Sequence, residues 1–301
     1  MSQRDVKERI ASIKNIQKIT RAMEMMSAAR LRRAEQRIQA LRPYAGAIRR
    51  MTRQAAEAAG GEMGSLPVLK EHESQTNVGL LLVTADRGLA GAFNSQILRA
   101  GVRAARELEG DGKKLHWYAS GRRGASSLTF RGLDIAGSWT GFTERPQYAD
   151  ARDIAEQLMA NYVDGTIDKV DIFYNGYVSP LVQELRRETL LPLQQATILE
   201  GTERDKEGTE GESGHHALVE YEPEPAEILS RLIPDYVEIS IYRALLESAA
   251  SELGARMTAM RNATENAGEL IDDYTLEMNR ARQAEITQEI MEVVAGAEAL
   301  V

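Results

Sequence analysis

The sequence predicts an α/β chain in which the N- and C-terminal helices form a long antiparallel coiled coil around a small central α/β domain. Three observations predict it. The last 65 residues carry apolar and small side chains at alternating steps of four and three. The first 58 carry apolar residues at three- and four-residue spacing. Between them, residues 77–85 (NVGLLLVTA) form an unbroken apolar run of strand length.

At the N-terminus, Val6, Ile10, Ile13, Ile16, Ile19, Met23, Met26, Ile38 and Leu41 recur at helical spacing, so residues 3–58 read as helix. No glycine appears before Gly46. Pro43 removes a backbone donor and clashes with the preceding turn, so the helix is expected to kink or break there. It should restart through Ala45–Ala59 and stop at Gly60-Gly61.

The central run 77–85 has the composition of a strand buried on both faces. The loop DRGLAGAFN follows at 86–94, then a helix to about Glu109, a strand at 114–120 and a helix over about 148–163. A third strand spans 170–178. Strand–helix–strand alternation of this kind predicts a small Rossmann-like α/β domain with a parallel sheet. Residues 185–193 and about 217–221 read as a hairpin or edge pair, with a polar, Gly-rich loop at 200–216 between them. Residues 226–233 read as a short helix ahead of Pro234.

The C-terminal run, 235–300, contains no further proline. Leu253, Met257, Met260, Thr264, Ala267, Ile271, Tyr274, Met278 and Ala281 follow the 3.5-residue period of a coiled-coil seam. After Ala281 the phase slips to Arg282, Ile286, Ile290 and Val294, which changes supercoil winding locally. A helix of this length, on the order of 95 Å, needs a partner, and the N-terminal helix running antiparallel is the natural one. The segments are thus 1–60 and 234–301 for the coiled coil and 75–233 for the α/β domain. The far end, IMEVVAGAEALV at 290–301, has only Glu292 and Glu298 as charges. Two readings stay open: a tip packed on its own partner helix, or a tip held in another protein's apolar collar.

Composition narrows the function classes. The 301 residues include no cysteine, which excludes disulfides, thiolate metal sites and cysteine nucleophiles. The N-terminus lacks an apolar signal core and no apolar run approaches bilayer length, so a cytoplasmic protein is expected unless a partner tethers it to a membrane. Net charge is −8, yet residues 1–53 hold 14 Lys/Arg against 4 Asp/Glu. A basic helix suits nucleic acid, a membrane surface or an acidic protein, or is simply a solvated face.

Catalytic and cofactor signals are not found. The loop DRGLAGAF has Gly88 and Gly91 but neither G-x-G-x-x-G nor a terminal Gly-Lys-Ser/Thr, so a tight turn is expected, with Asp86 accepting backbone amides and Arg87 pairing locally. His72, His116, His215 and His216 have no carboxylate or serine at triad or metal-site spacing. Asp272 and Asp273 point to different helix faces. No catalytic, cofactor or metal site is expected.

Three separated segments resemble one family, the gamma subunit of F-type ATP synthases. They are RIASIKNIQKITRAMEMMSAARLRRA at 9–34, TADRGLAGAFN at 84–94, and the C-terminal run from YRALLESAASELGARMTAMRNATENAGELI through NRARQAEITQEIMEVVAGAEAL within 242–301. The resemblance implies a central rotor shaft that couples transmembrane ion flow to ATP synthesis or hydrolysis and is itself non-catalytic. It implies a collar of alpha and beta subunits around the coiled coil and an α/β foot on the membrane ring of c subunits beside the epsilon subunit. It further implies a peripheral place on the cytoplasmic face of the cell membrane, with no nucleic acid and no nucleotide bound to this chain. By position, Arg282, Gln283 and Thr287 match residues that meet the beta-subunit catch loop, and Ile290 and Val294 belong to the apolar tip. Met23 matches a position facing an acidic beta loop, or else packs in the seam, and Arg9 and Lys18 are further candidate contacts. Met291 stands where many members have Thr, and the plant-type insert with its cysteine pair is absent.

Two other classes make different demands. A DNA-binding coiled coil accounts for the basic helix but not for the buried strands, and would show salt-dependent binding to duplex DNA. An α/β enzyme with helical arms requires a cofactor loop and would retain bound nucleotide.

Overall fold

The computed structural model describes residues 3–59, 67–72, 74–193 and 224–298. The expected strand at 217–221, the 200–216 loop with His215 and His216, and the stop at Gly60-Gly61 lie outside the described residues. The order is α1 (Gln3–Ala59), β1 (Asn77–Val83), α2 (Phe93–Gly110), β2 (Lys114–Ser120), α3 (Arg122–Phe130), β3 (Ile135–Trp139), α4 (Tyr148–Val163), β4 (Lys169–Tyr177), β5 (Gln183–Leu191) and α5 (Pro225–Glu298). Two compact units result. One comprises residues 30–255; the other joins residues 1–29 to residues 256–301.

In the unit 30–255 a five-stranded sheet has the order β3-β2-β1-β4-β5. The pairs β1–β2, β1–β4 and β2–β3 are parallel and β5 is antiparallel to β4. β1 lies at the centre, which is why its side chains are apolar on both faces. One face, with Val78, Leu80, Leu82 and Phe173, packs on α2 through Phe93, Ile97 and Ala104 and on Leu128 of α3. The other, with Leu81, Val83, Ile172 and Tyr174, packs on α4 through Ile154 and Leu158 and on Val237, Ile241 and Leu245 of α5. α1 joins the same unit through a separate core in which Ala45, Ile48 and Ala55 meet Leu229, Leu232, Ile233 and Ile239.

Two expected helix breaks are absent. α1 is continuous through Pro43, and α5 starts at Pro225 and passes through Pro234. A proline inside a helix forfeits about 3 kcal/mol. Here apolar residues on both sides of each proline belong to one core: half-buried Leu41 with buried Ala45 and Ile48, and buried Leu229 and Leu232 with Ile239. Packing on both sides holds the helix through the lost hydrogen bond. Pro225 sits at the first helical position, where the missing N–H costs nothing.

α3 and β3 were not anticipated. α3 is nine residues of mixed polarity and β3 is a five-residue edge strand, both too short for a periodic signal. Their placement depends on the turn at Gly121, where φ is +99° and an added Cβ would lie 2.2 Å from the Thr84 carbonyl oxygen. Thr84 Oγ1 donates to the Ser120 carbonyl at 2.9 Å and accepts the Gly124 amide at 2.9 Å, clamping the end of β1 to α3.

The opposite end of the sheet is fastened by Asp168. Its carboxylate accepts the Thr76 and Asn77 amides at 2.9 and 2.7 Å and meets His72 Nδ1 at 2.8 Å. His72 also stacks on Tyr162, whose hydroxyl burial has pushed up to about 12. Burial raises the Asp168 carboxyl, but the hydrogen bonds from Asn77, His72 and Thr76 outweigh it and hold the group below its ordinary value. The His72–Asp168 pair is 96 residues apart in sequence, which is why spacing did not reveal it.

Gly121→Ala should destabilise the chain by about 2 kcal/mol or more, read as a lowered denaturant midpoint, because the side chain meets backbone in a left-handed conformation. A depressed folded-state pKa contributes stability above the unfolded value that disappears as pH falls through the folded one. Asp168→Asn should therefore cost about 1–3 kcal/mol near neutrality and flatten the loss of stability below about pH 4, measured by urea titrations across pH.

Candidate partner interface

In the unit formed by residues 1–29 and 256–301, α1 and α5 are antiparallel. Thr20 Oγ1 and Thr264 Oγ1 lie 2.7 Å apart, Gln17 Nε2 donates to the Thr264 carbonyl at 3.3 Å, and Arg261 Nε donates to Glu24 Oε1 at 2.9 Å. As α1 advances from 17 to 24, its partners on α5 retreat from 264 to 261.

On α5 the seam follows the sequence pattern. Met257, Met260, Thr264, Ala267, Ile271, Tyr274, Met278 and Ala281 are all buried or half-buried. On α1 it does not. Burial recurs at Val6, Ile10, Ile13, Gln17, Thr20, Glu24 and Ser27, again in steps of four and three. Ile16, Ile19 and Met26, which recur with Val6, Ile10 and Ile13 at helical spacing, are 51%, 59% and 52% exposed. Val6, Ile10 and Ile13 set the stride, and a helix kept on a 3.5-residue stride brings Gln17 and Thr20 inward whatever their polarity. Residues seven apart on a helix share a face, so Arg9, Ile16 and Met23 stand in one row, with Ile19 and Met26 beside them. Arg9 is exposed and Met23 half-buried; Lys18 is exposed but lies on another face.

The register places Val6 opposite Met278 and Gln3, the first described residue of α1, opposite position 281. Beyond that, every described side chain from Arg282 to Ala295 is exposed. Ile286, Ile290, Met291, Val293 and Val294 are between 46% and 72% exposed, so the described side chains of the tip do not pack on α1. Gln283, Thr287, Ile290 and Val294 follow at steps of four, three and four on one face, with Arg282 next to it. The Thr287 hydroxyl donates to the Gln283 carbonyl at 2.8 Å, which leaves its oxygen lone pairs as acceptors, and Gln283 is exposed.

In the unit 30–255, the turn after β1 is occupied internally. The Asp86 carboxylate accepts the amides of Arg122, Gly141 and Thr143 at 3.0, 2.8 and 3.2 Å, and the Thr143 hydroxyl at 3.0 Å. Arg122 opens α3, so an aspartate takes the place at a helix N-terminus where a phosphate would otherwise bind. Arg87 pairs with Glu144 at 3.4 Å. Among the described residues no group of three His, Asp or Glu could hold a metal ion, and no helix is long and apolar enough to cross a membrane.

A family profile described as ATP synthase matches residues 2–300. The ATP synthase gamma chain of Moorella thermoacetica is 42% identical, covering 99% of this chain and 98% of that one. That of Rubrobacter xylanophilus is 44% identical, with the same two coverages. The chain belongs to the ATP synthase gamma-chain family. The gamma chain is the central-stalk subunit of the F-type synthase and not its catalytic subunit, and that is this protein's place in the membrane-associated complex. Among solved structures, one of the central stalk and c-ring of the Tetrahymena thermophila mitochondrial synthase aligns with TM-score 0.58 at 25% identity, covering 81% of this chain and 99% of that one. A chain of the Euglena gracilis mitochondrial synthase aligns with TM-score 0.66 at 17% identity over 99% of this gamma chain and 94% of its own, a likeness of fold.

Sequence reasoning missed the outward row at Ile16, Ile19 and Met26. The signal was present, since no single 3.5-residue stride passes through Ile13, Ile16 and Ile19 together. As an exposed residue, Ile19→Lys should leave the unfolding midpoint of the purified gamma chain within about 0.5 kcal/mol of the parent. A loss above 2 kcal/mol would place Ile19 in the seam.

Proposed function

We propose that this gamma chain turns as a shaft inside a collar of alpha and beta subunits, with its α/β unit seated on the membrane ring of c subunits beside the epsilon subunit, on the cytoplasmic face of the membrane. In this division of labour residues 1–60 and 234–301 form the shaft and residues 75–233 the foot. The similar solved structures, one of a synthase central stalk with its c-ring and one of a synthase F1 with its c-ring, support the partners. The observation that carries the reading is the helix from Arg282 to Ala295, exposed on every side and apolar at five positions. An exposed apolar surface of this kind marks a site that another protein covers.

An enclosing sleeve of apolar side chains suits a rotating tip, because hydrophobic contact has no preferred direction and is kept at every angle. Ile290 and Val294 make that contact. Arg282, Gln283 and Thr287, one to two turns nearer the seam, supply directional hydrogen bonds to the beta-subunit catch loop that form at some angles and break at others. The Arg9–Ile16–Met23 row, with basic residues around it, faces the acidic loop of a beta subunit, and Lys18 adds charge from the neighbouring face. Opposite charges there favour fast, oriented encounter more than tight binding.

Gln283→Leu should lower ATP turnover of the assembled complex severalfold while the isolated chain keeps its helix content and midpoint. Reconstitution with alpha and beta subunits, followed by ATPase assay, measures it. Unchanged turnover with normal assembly would remove Gln283 from the contact. Failure to assemble with alpha and beta subunits at all would refute the collar.

A further inference from the structure

The α1 segment from Ile16 to Ser27 offers the coiled coil two seams. Gln17, Thr20, Glu24 and Ser27 form the one observed; Ile16, Ile19, Met23 and Met26 form another, one residue out of phase, on an equally regular stride. Burying an exposed isoleucine or methionine is worth about 1.5–3 kcal/mol, so apolar transfer alone favours the second seam. The structure takes the first, with Thr20 and Ser27 only 8% and 3% exposed while Ile19 is 59% exposed.

The polar groups in that seam are mutually satisfied. Thr20 Oγ1 meets Thr264 Oγ1 at 2.7 Å, one hydroxyl donating across the interface. The other hydroxyl donates to a carbonyl of its own helix, that of Gln17 for Thr20 at 3.1 Å or that of Met260 for Thr264 at 2.8 Å. Gln17 reaches the Thr264 carbonyl, and Gly268 leaves the room for it, since a Cβ there would stand 3.3 Å from Gln17 Nε2. Ser27 Oγ donates to the Met23 carbonyl at 2.8 Å. A one-residue shift would turn these groups out and leave Thr264 facing isoleucine, with its hydroxyl satisfied only along its own helix.

We propose that Gln17, Thr20 and Thr264 are register-setting residues of the coiled coil, and that the seam they exclude is the one through Ile16, Ile19, Met23 and Met26. Polar residues at seam positions specify alignment at some expense in stability. The role fixes which face of α1 points outward and which α5 residues lie past the end of the paired stretch. It goes beyond the shaft reading and stands without it, because the chain alone carries the alignment.

The chain has no native cysteine, so introduced pairs report register directly. Ile13→Cys with Ile271→Cys reads the observed seam, and Ser12→Cys with Ile271→Cys reads the excluded one. Each pair is placed in the full-length chain and oxidised under identical conditions. In the parent the first pair should cross-link and the second should not. Adding Thr20→Val and Thr264→Val, which keep shape and remove the hydroxyls, should raise the second cross-link at least tenfold. Thr20→Ser with Thr264→Ser should restore the parent pattern. Retention of only the first cross-link in the valine variant would overturn the proposal. So would loss of both cross-links with loss of helix content, since that shows a general structural role.

Discussion

The 3.5-residue stride shared by α1 and α5 is the constraint on which the rest of the molecule depends. In the unit of residues 1–29 and 256–301 it places Thr20 against Thr264 and Glu24 against Arg261. In the unit of residues 30–255, taken by itself, Leu31 and Ala34 share a core with Ala250 and Leu253, and Ala45 and Ala55 share one with Ile239 and Leu229. A stride of this kind is collective. Each layer is worth little, but leaving it at one layer disturbs every layer beside it. Two prolines and a polar run are carried along because their neighbours on both sides remain in phase.

The stride also separates roles along α5. Up to Ala281 the helix has an inner and an outer face. From Arg282 it has only outer ones, since α1 offers no described residue opposite. Side chains that would count as core in the paired stretch become contact surface beyond it. Ile271 and Ile290 are chemically the same residue, and only the presence of a facing helix distinguishes half-buried packing from an exposed tip.

In the α/β unit an internal carboxylate occupies the turn after β1. The turn after β1 gathers amides from the start of α3 and from the loop after β3, as a phosphate site would, and spends them on Asp86. A fixed internal anion holds three loops together. That keeps the loops in place without any ligand.

Much of this was legible in the sequence because it rests on local pattern. The apolar run at 77–85, the α5 heptads from Leu253 to Ala281, and the helix over 148–163 follow from side-chain chemistry within a turn or two of helix or strand. The family could be read because its motifs are contiguous. What only the tertiary structure decided involves competition between distant segments. Whether Pro43 and Pro234 break their helices depends on a core built from residues about 190 apart. Whether Ile16 or Gln17 enters the seam depends on Thr264, and the partner of His72 is Asp168, the residue just before β4. Hydrophobicity orders residues by preference for burial, but a paired helix has one seam. Which of two adjacent stripes receives it is settled by the partner's side chains.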